Sequence, residues 1–231
     1  MKILVCIKQV PGSSNVQVDP VTGVLKRDGV KSKMNPYDLY ALEMGLTLAE
    51  KYGGSVETIT MGPPQAKSVI MEAICMGTQG GTVLSDRKFA GADVLATAYT
   101  ISQGIRKVGD FDLVICGKQT TDGDTAQVGA EVSEFLGISN VANVLSVDGD
   151  INSPRLPSYK VKQSVTDDMV KFLGFDDFED KNPDNYGLSG SATQVERIFP
   201  PEKNTEKHTI DGTPEEQTDG LFDLIASRKL I

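Results

Sequence analysis

Tryptophan is absent from this 231-residue chain, and histidine occurs once, as His208 in the polar stretch EKNTEKHTIDG. A single imidazole excludes a histidine-rich metal centre and leaves little room for a histidine base beside a nucleophile, so any chemistry falls to a bound cofactor. The three cysteines, Cys6, Cys75 and Cys116, lie far apart and none forms a C-x-x-C pair. That spacing argues against a disulfide framework or a thiolate metal site, and reads as small buried hydrophobes. No apolar run approaches the roughly 18 residues of a membrane span, and the apolar core of MKILVCIKQVP is too short for a signal peptide, so a cytoplasmic chain without membrane contact is expected. Net charge is −9, with 23 basic against 32 acidic residues and no long basic run. Such a surface repels a phosphate backbone, and nucleic acid is not expected as a partner. Neither G-x-G-x-x-G nor G-x-x-x-x-G-K-[ST] occurs, so neither a conventional dinucleotide fold nor a phosphate-loop NTPase is indicated.

What the chain does have is alternation. KILVCIKQV is a nearly continuous apolar run stopped by Pro11, the pattern of a central strand buried on both faces. NVQVDPVTGVLKRDGV reads as a short exposed hairpin. A helix is predicted from Pro36, capped by Asn35 and closed by glycines at 53 and 54. Strands and helices then follow in turn: SVETITMG, PQAKSVIMEAICMG, GTVLSD, GADVLATAYTISQGIRKVG, DLVICG, a helix from about Thr125 to Leu136, and NVANVLSV. This order predicts right-handed crossovers and an α/β, doubly wound, mostly parallel sheet through about residue 148. GTQGG at 77–81 follows a helix rather than a strand and reads as a helix end and turn. Beyond 150 the chain turns to charge, Pro, Asn and Gly, and cannot fold alone. Its last segment, PEEQTDGLFDLIASRKLI, puts Leu221, Leu224 and Ile225 on one helical face, which must pack on its own sheet or on another subunit.

Ligands of an open parallel sheet bind beyond the carboxyl ends of its strands, where strand order reverses. With the first strand central, that crevice lies between KQVPG and CGKQTTDGDTAQVG. The helix following Gly123 and Asp124 offers backbone N–H groups to a phosphate, Thr125 and Gln127 add side-chain bonds, and Lys8 or Lys118 adds charge. Asp122 and Asp124 would repel a phosphate; a helix cap is the plainer reading of Asp124, and a bond from ribose hydroxyls is the other.

VCIKQVP, SKMNPYD, TMGPPQA, SDRKFAGADVLAT, DLVICGKQTTDGDTAQVG, INSPRLPSYK and GSATQVERIFPP together resemble the beta subunit of electron transfer flavoproteins, over most of the chain. The resemblance implies a nucleotide-binding fold of the adenine nucleotide alpha hydrolase type and a heterodimer with an alpha subunit that shuttles electrons between a dehydrogenase and an acceptor. Ordinary members hold a structural AMP in the beta subunit. Bifurcating members hold FAD there, which takes hydride from NADH and divides the electrons between a ferredoxin or flavodoxin and, through the alpha-subunit FAD, an acyl-CoA dehydrogenase. Thr121, Thr125, the glycine between the aspartates and FDDFEDKNPDNYGLSGS favour the bifurcating type. AMP alone remains the alternative, and an adenine-nucleotide-binding regulatory module is a third reading. NADH oxidation is expected only of the alpha–beta complex.

Carried over residue by residue, the nucleotide site falls on Cys6, Ile7 and Lys8, on Asn35, Pro36, Tyr37 and Asp38, and on Met61 and Gly62. Its main loop is Gly117, Lys118, Gln119, Thr120, Thr121, Asp122, Gly123, Asp124, Thr125, Ala126, Gln127 and Val128. Partner docking falls on Arg155, Leu156, Pro157, Ser158, Tyr159 and Lys160, with two prolines, an apolar pair and a cationic rim; the alternative is that Leu156 and Tyr159 cover the core. The expected division is an α/β domain at 1–187 and an arm with an amphipathic helix at 188–231 that packs on the alpha subunit. Two departures from the family pattern stand out. A stretch of a few tens of residues, expected between NVLSVDGD and INSPRLPSYK, is missing, and SYKVKQSVTDD replaces a lysine-rich segment of small residues.

Overall fold

The computed structural model describes residues 1–12, 32–141, 151–195 and 209–227, together with the backbone of 17–18 and 25–26. The predicted strand NVANVLSV and the short connection before 150 fall mostly on 142–150, outside the described residues. The chain forms two compact units, Met1–Arg197 and Ile198–Ile231.

In the first unit β1 is Lys2–Cys6 and β2 is Gln9–Pro11, so the predicted first strand is two strands. The break has a local cause. Ile7 N–H donates to Ile59 O at 2.9 Å, and Lys8 N–H then turns aside to the Asp38 carboxylate at 2.7 Å. β3 (Gln17–Val18) and β4 (Leu25–Lys26) pair antiparallel, which is the predicted hairpin, and β5 (Ser32–Met34) pairs antiparallel with β2. α1 runs Pro36–Tyr52, β6 Ser55–Met61, α2 Lys67–Met76, β7 Gly80–Leu84, α3 Val94–Val108, β8 Leu113–Cys116 and α4 Val128–Leu136. Gly77 closes α2 with bonds to Ala73 O and Ile74 O, so GTQGG is the helix end that its position implied.

The sheet order is β8-β1-β6-β7-β9, all pairs parallel, where β9 is Val170–Leu173. No sequence period marked β9, a four-residue edge strand with two exposed residues. β1 shows the two-sided burial. Ile3, Val5 and Ile7 join α1 and α2 on one face, while Leu4 packs with α3 and α4 on the other. The polar stretch after β9 returns to the second face, burying Phe175, Phe178 and Tyr186 against Phe89 and Tyr99. A segment that cannot fold alone thus completes the core of its own sheet. The association continues past 187: Leu188 N–H bonds Ala90 O at 3.1 Å, and Thr193 N–H and Oγ1 bond Asp93 Oδ2 at 2.8 and 3.0 Å. The described contacts therefore carry the α/β unit beyond the expected boundary at 187.

After the short helix α5 (Tyr159–Lys162) of the first unit, α6 of the second unit spans Pro214–Ser227. It opens with a reciprocal cap, Thr213 N–H on Glu216 Oε2 at 2.7 Å and Glu216 N–H on Thr213 Oγ1 at 3.4 Å. Leu224 and Ile225 are half-buried, and Leu221 and Phe222 are exposed.

Candidate functional site

β1 feeds α1 on one face of the sheet and β8 feeds α4 on the other, so a crevice opens between their carboxyl ends. Its floor is Cys6 beside Cys116, paired in register. The Cys6 thiol is pushed up from its usual range by its contact with Cys116 and by burial. Thiolate chemistry is disfavoured there, in keeping with packing cysteines.

The loops above the floor are tied together by NPYD. Asp38, buried in the first turn of α1, accepts from Lys8 N–H at 2.7 Å. Gly117 lies directly against it, and a Cβ at that position would fall on Asp38 Oδ1 and on the backbone between Tyr37 and Asp38. This is why glycine follows β8. Burial, with a smaller push from the Asp122 charge, outweighs the bonds from Asn35 and Lys8 and the Lys8 charge and raises the Asp38 carboxyl from 3.8 to about 7. Asn35 Nδ2 donates to Gln119 O at 2.8 Å, its Oδ1 accepts from Thr121 N–H at 3.2 Å, and its own N–H bonds Lys8 O at 2.9 Å. Gln119 Nε2 reaches Tyr37 Oη at 3.2 Å. Although Asn35 stands at the N-terminus of α1, its side chain makes no capping bond; the predicted cap is a loop tether.

Outside this buried layer, 121–127 is an exposed rim. Lys8 Nζ pairs with Asp122 Oδ1 at 2.8 Å. Burial alone would raise Asp122, but the Lys8 bond and charge hold it low. The lysine expected to meet a phosphate is thus engaged by an aspartate, and the same pair offsets the charge that counted against a phosphate. α4 begins at Val128, not near Thr125, with Gln127 at its cap and no side-chain bond to the first N–H groups. Asp124 therefore does not cap it. Asp124 and Ala126 instead hold φ of 52° and 55°, the left-handed region that non-glycine residues seldom adopt. Gln127 follows in the right-handed region at φ −115°, ψ −18°, and adjoining left- and right-handed residues are the backbone from which anion-binding nests are built. An uncapped helix start, the positive-φ backbone before it and the exposed Thr125 and Gln127 side chains suit the phosphates and ribose of a nucleotide.

Cys6 to Lys8, Asn35 to Asp38 and Gly117 to Asp122 are thus joined in one bonded cluster, with Lys118 half-buried among them. Gly123 to Gln127 form the rim, and Val128 packs against the second face. Met61 ends the neighbouring strand β6 and Gly62 follows it, with Gly62 N–H bonding Leu84 O.

A second feature lies apart from the crevice, in 151–162. Arg155 grips Glu43 through its N–H, Nε and Nη2, each at 2.9 Å, and Glu50 through Nη1 at 2.5 Å. Burial would raise Glu43, but the bonds and charge of Arg155 hold it low, and the two carboxylates hold the guanidinium charged. Asn152 Nδ2 bonds Tyr40 O and Ser158 N–H bonds Cys75 O, at 3.1 and 2.8 Å. Ser158 caps α5 (Tyr159–Lys162). Arg155 belongs to the anchor rather than to a cationic rim. Beyond it Leu156 is 88% exposed and Tyr159 77%, so neither covers the core. With Cys75, Pro157, Ser158 and Lys162 they line an open pocket of about 400 Å³. Sequence reasoning missed Glu43 and Glu50. Two acids seven residues apart share a helical face, and one falling between Leu42 and Gly45 on the buried side was the signal of a paired cation.

Comparison with known proteins follows the same residues. The model of the electron transfer flavoprotein domain matches 22–171. The electron transfer flavoprotein subunit beta of Clostridium acetobutylicum is 41% identical, covering 91% of this chain and 92% of its own length. That of Thermoanaerobacterium thermosaccharolyticum is 39% identical over the whole of both chains, in an alignment of 263 positions that leaves some with no residue here. The caffeyl-CoA reductase-Etf complex subunit CarD of Acetobacterium woodii is 36% identical, covering 92% and 93%. With a family match over more than half its residues and beta subunits aligned along nearly its whole length, the chain belongs to the electron transfer flavoprotein family, as a relative of its beta subunits.

Proposed function

We propose that the crevice between β1 and β8 holds FAD, and that the chain acts as the beta subunit of a heterodimer in which this flavin takes hydride from NADH. The electrons are then divided between a low-potential acceptor of the ferredoxin or flavodoxin kind and an acyl-CoA dehydrogenase reached through the alpha-subunit FAD. The observation that supports nucleotide binding most directly is the left-handed pair Asp124 and Ala126 leading into the uncapped start of α4. Bound there, the flavin supplies the redox chemistry. The chain supplies backbone donors to the phosphates, hydroxyl partners at Thr121 and Thr125, and a floor without a charged thiolate. A relative named for a caffeyl-CoA reductase complex is consistent with an acyl-CoA-linked partner.

Flavin counted per heterodimer from the visible spectrum of the purified complex tests this reading. Two flavins support it, one supports a beta site holding AMP alone, and none supports a regulatory nucleotide module. Binding through the backbone also predicts a ranking. A Cβ at Gly123 would meet only Thr120 Oγ1, at 3.6 Å, so the fold itself tolerates a side chain there. Gly123→Val should nevertheless abolish nucleotide retention by blocking close approach, while Thr125→Ala weakens it by about 1 kcal/mol. The reverse ranking refutes the backbone account.

The exposed Leu156 and Tyr159 on a firmly anchored loop suit the dehydrogenase, with Pro157, Ser158 and Lys160 beside them. The C-terminal segment suits the alpha subunit. Deletion of 198–231, which spares the bonds of Thr193 to Asp93, should leave a folded sheet that no longer co-purifies with alpha; retained binding would sink that assignment.

A further inference from the structure

Asn35 is the least accessible polar residue of the cluster, with no exposed surface, while Thr121 and Asp122 beside it are exposed. A ligand seated on the rim does not reach its side chain. Nor does the side chain cap α1: Pro36 has no N–H to cap, and Asp38 N–H bonds Asn35 O, a main-chain atom, at 3.0 Å, while the Asn35 side chain also bonds the Asp38 carboxyl. The primary amide does something that few side chains can. It donates to Gln119 O and accepts from Thr121 N–H, satisfying two main-chain groups that flank Thr120 in the turn leaving β8. Its own N–H holds Lys8 O, so one residue fixes the loops after β1 and β8 together.

We propose that Asn35 is the positioning residue of this crevice: its side-chain amide holds 119–121 in binding shape before any nucleotide arrives, and does not itself contact the nucleotide. The proposal rests on the nucleotide reading of the site for its effect on affinity, but not for its effect on the loop. Without the amide, the Thr121 N–H and Gln119 O lose their partners, the turn samples other shapes, and binding must restore the order that Asn35 supplies in advance.

Two readouts on the full chain separate the possibilities. Hydrogen exchange at 117–124 is measured without nucleotide, and affinity is measured with AMP and with FAD as probes. Asn35→Ala should speed exchange at Thr121 by at least about tenfold and weaken AMP by at least about tenfold, with β1 and β6 amides as protected as in the wild type. Asn35→Asp gives an independent test should the alanine variant fail to fold. Protonated, the acid keeps both an O–H donor for Gln119 O and an acceptor for Thr121 N–H; ionised, it sets a carboxylate against the Gln119 carbonyl. Asp38, Asp122 and Lys8 face this position, and Asp38 titrates in the wild type as well, so the comparison is made at each pH: the variant's Thr121 protection factor should match the wild type at low pH and fall progressively below the wild-type value as pH rises.

Wild-type protection at Thr121 in Asn35→Ala, or in Asn35→Asp at every pH, overturns the proposal. So does weakened AMP with unchanged exchange, which would make the amide a direct ligand contact. A wild-type chain that holds neither AMP nor FAD sinks the nucleotide reading instead, and the exchange result then decides the clamp by itself.

Discussion

The crevice loop and the 151–162 loop solve the same problem with different anchors. Each projects exposed groups, the turn at 124–127 in one and Leu156 with Tyr159 in the other, from a base held at α1 by polar side chains, buried in the first and only partly buried in the second. In the crevice the anchors are the Asn35 amide and the Asp38 carboxyl, the latter raised by burial to about 7, so that it changes charge near neutral pH. In the other loop the anchor is an ion pair in which every carboxylate oxygen of Glu43 and Glu50 is met by Arg155. A neutral anchor costs little to bury but is sensitive to pH; a charged one tolerates pH but leaves a stranded charge when one partner is removed.

The largest expected effect breaks that comparison at Asp38. Its folded pKa is raised from 3.8 to about 7, so the folded state binds the proton more tightly than the unfolded state. The associated stability is full below about pH 4 and is lost as pH rises through about 7, with an upper bound of about 4 kcal/mol. Melting temperature followed from pH 4 to pH 8 should fall more steeply in the wild type than in Asp38→Asn; parallel curves would show that Asp38 titrates normally.

Next, Arg155→Ala strands Glu43 and should cost about 3 kcal/mol, a melting point lower by roughly 10 °C, while the joint exchange Glu43→Leu with Arg155→Met recovers most of the loss. A double variant no better than the single one would show that packing, not the unpaired charge, sets the cost. At the exposed tip, Tyr159→Ala should leave the melting point and NADH-dependent flavin reduction near wild type and slow electron transfer to the dehydrogenase at least tenfold, about 2 kcal/mol. A turnover that falls only with the folded fraction would place the docking surface elsewhere. The smallest effect is at Ala126, where φ is 55°. Ala126→Gly should raise stability by up to about 1 kcal/mol by relieving the left-handed strain, provided the added freedom of the unfolded chain does not offset it. A lower melting point would mean that the unfolded-state term wins.

The order of strands and helices was legible because each central element repeats one simple period: KILVC reads as buried on both faces, and α1 carries Pro36 at its first position. The crevice was legible for the same reason, since strand order fixes where it opens. Asn35 was recognised as part of the site but misassigned as a cap, because the residue types that cap helices also tether turns. Asp124 was misassigned too: nothing in TTDGDTAQ announces that helical geometry waits until Val128. The strand β9 and the burial of Tyr186 left no mark at all, because short edge strands and aromatic residues in polar surroundings carry no period.

The sequence by itself determined the layered architecture, the switch point and the family, because apolar spacing and local motifs are properties of neighbouring residues. Only the tertiary structure decided which polar groups meet. Lys8 pairs with Asp122 across 114 residues and Arg155 with Glu43 across 112. Such partners are chosen by where the sheet brings loop ends together and by the cost of leaving a buried donor, acceptor or charge unsatisfied, which no local pattern records.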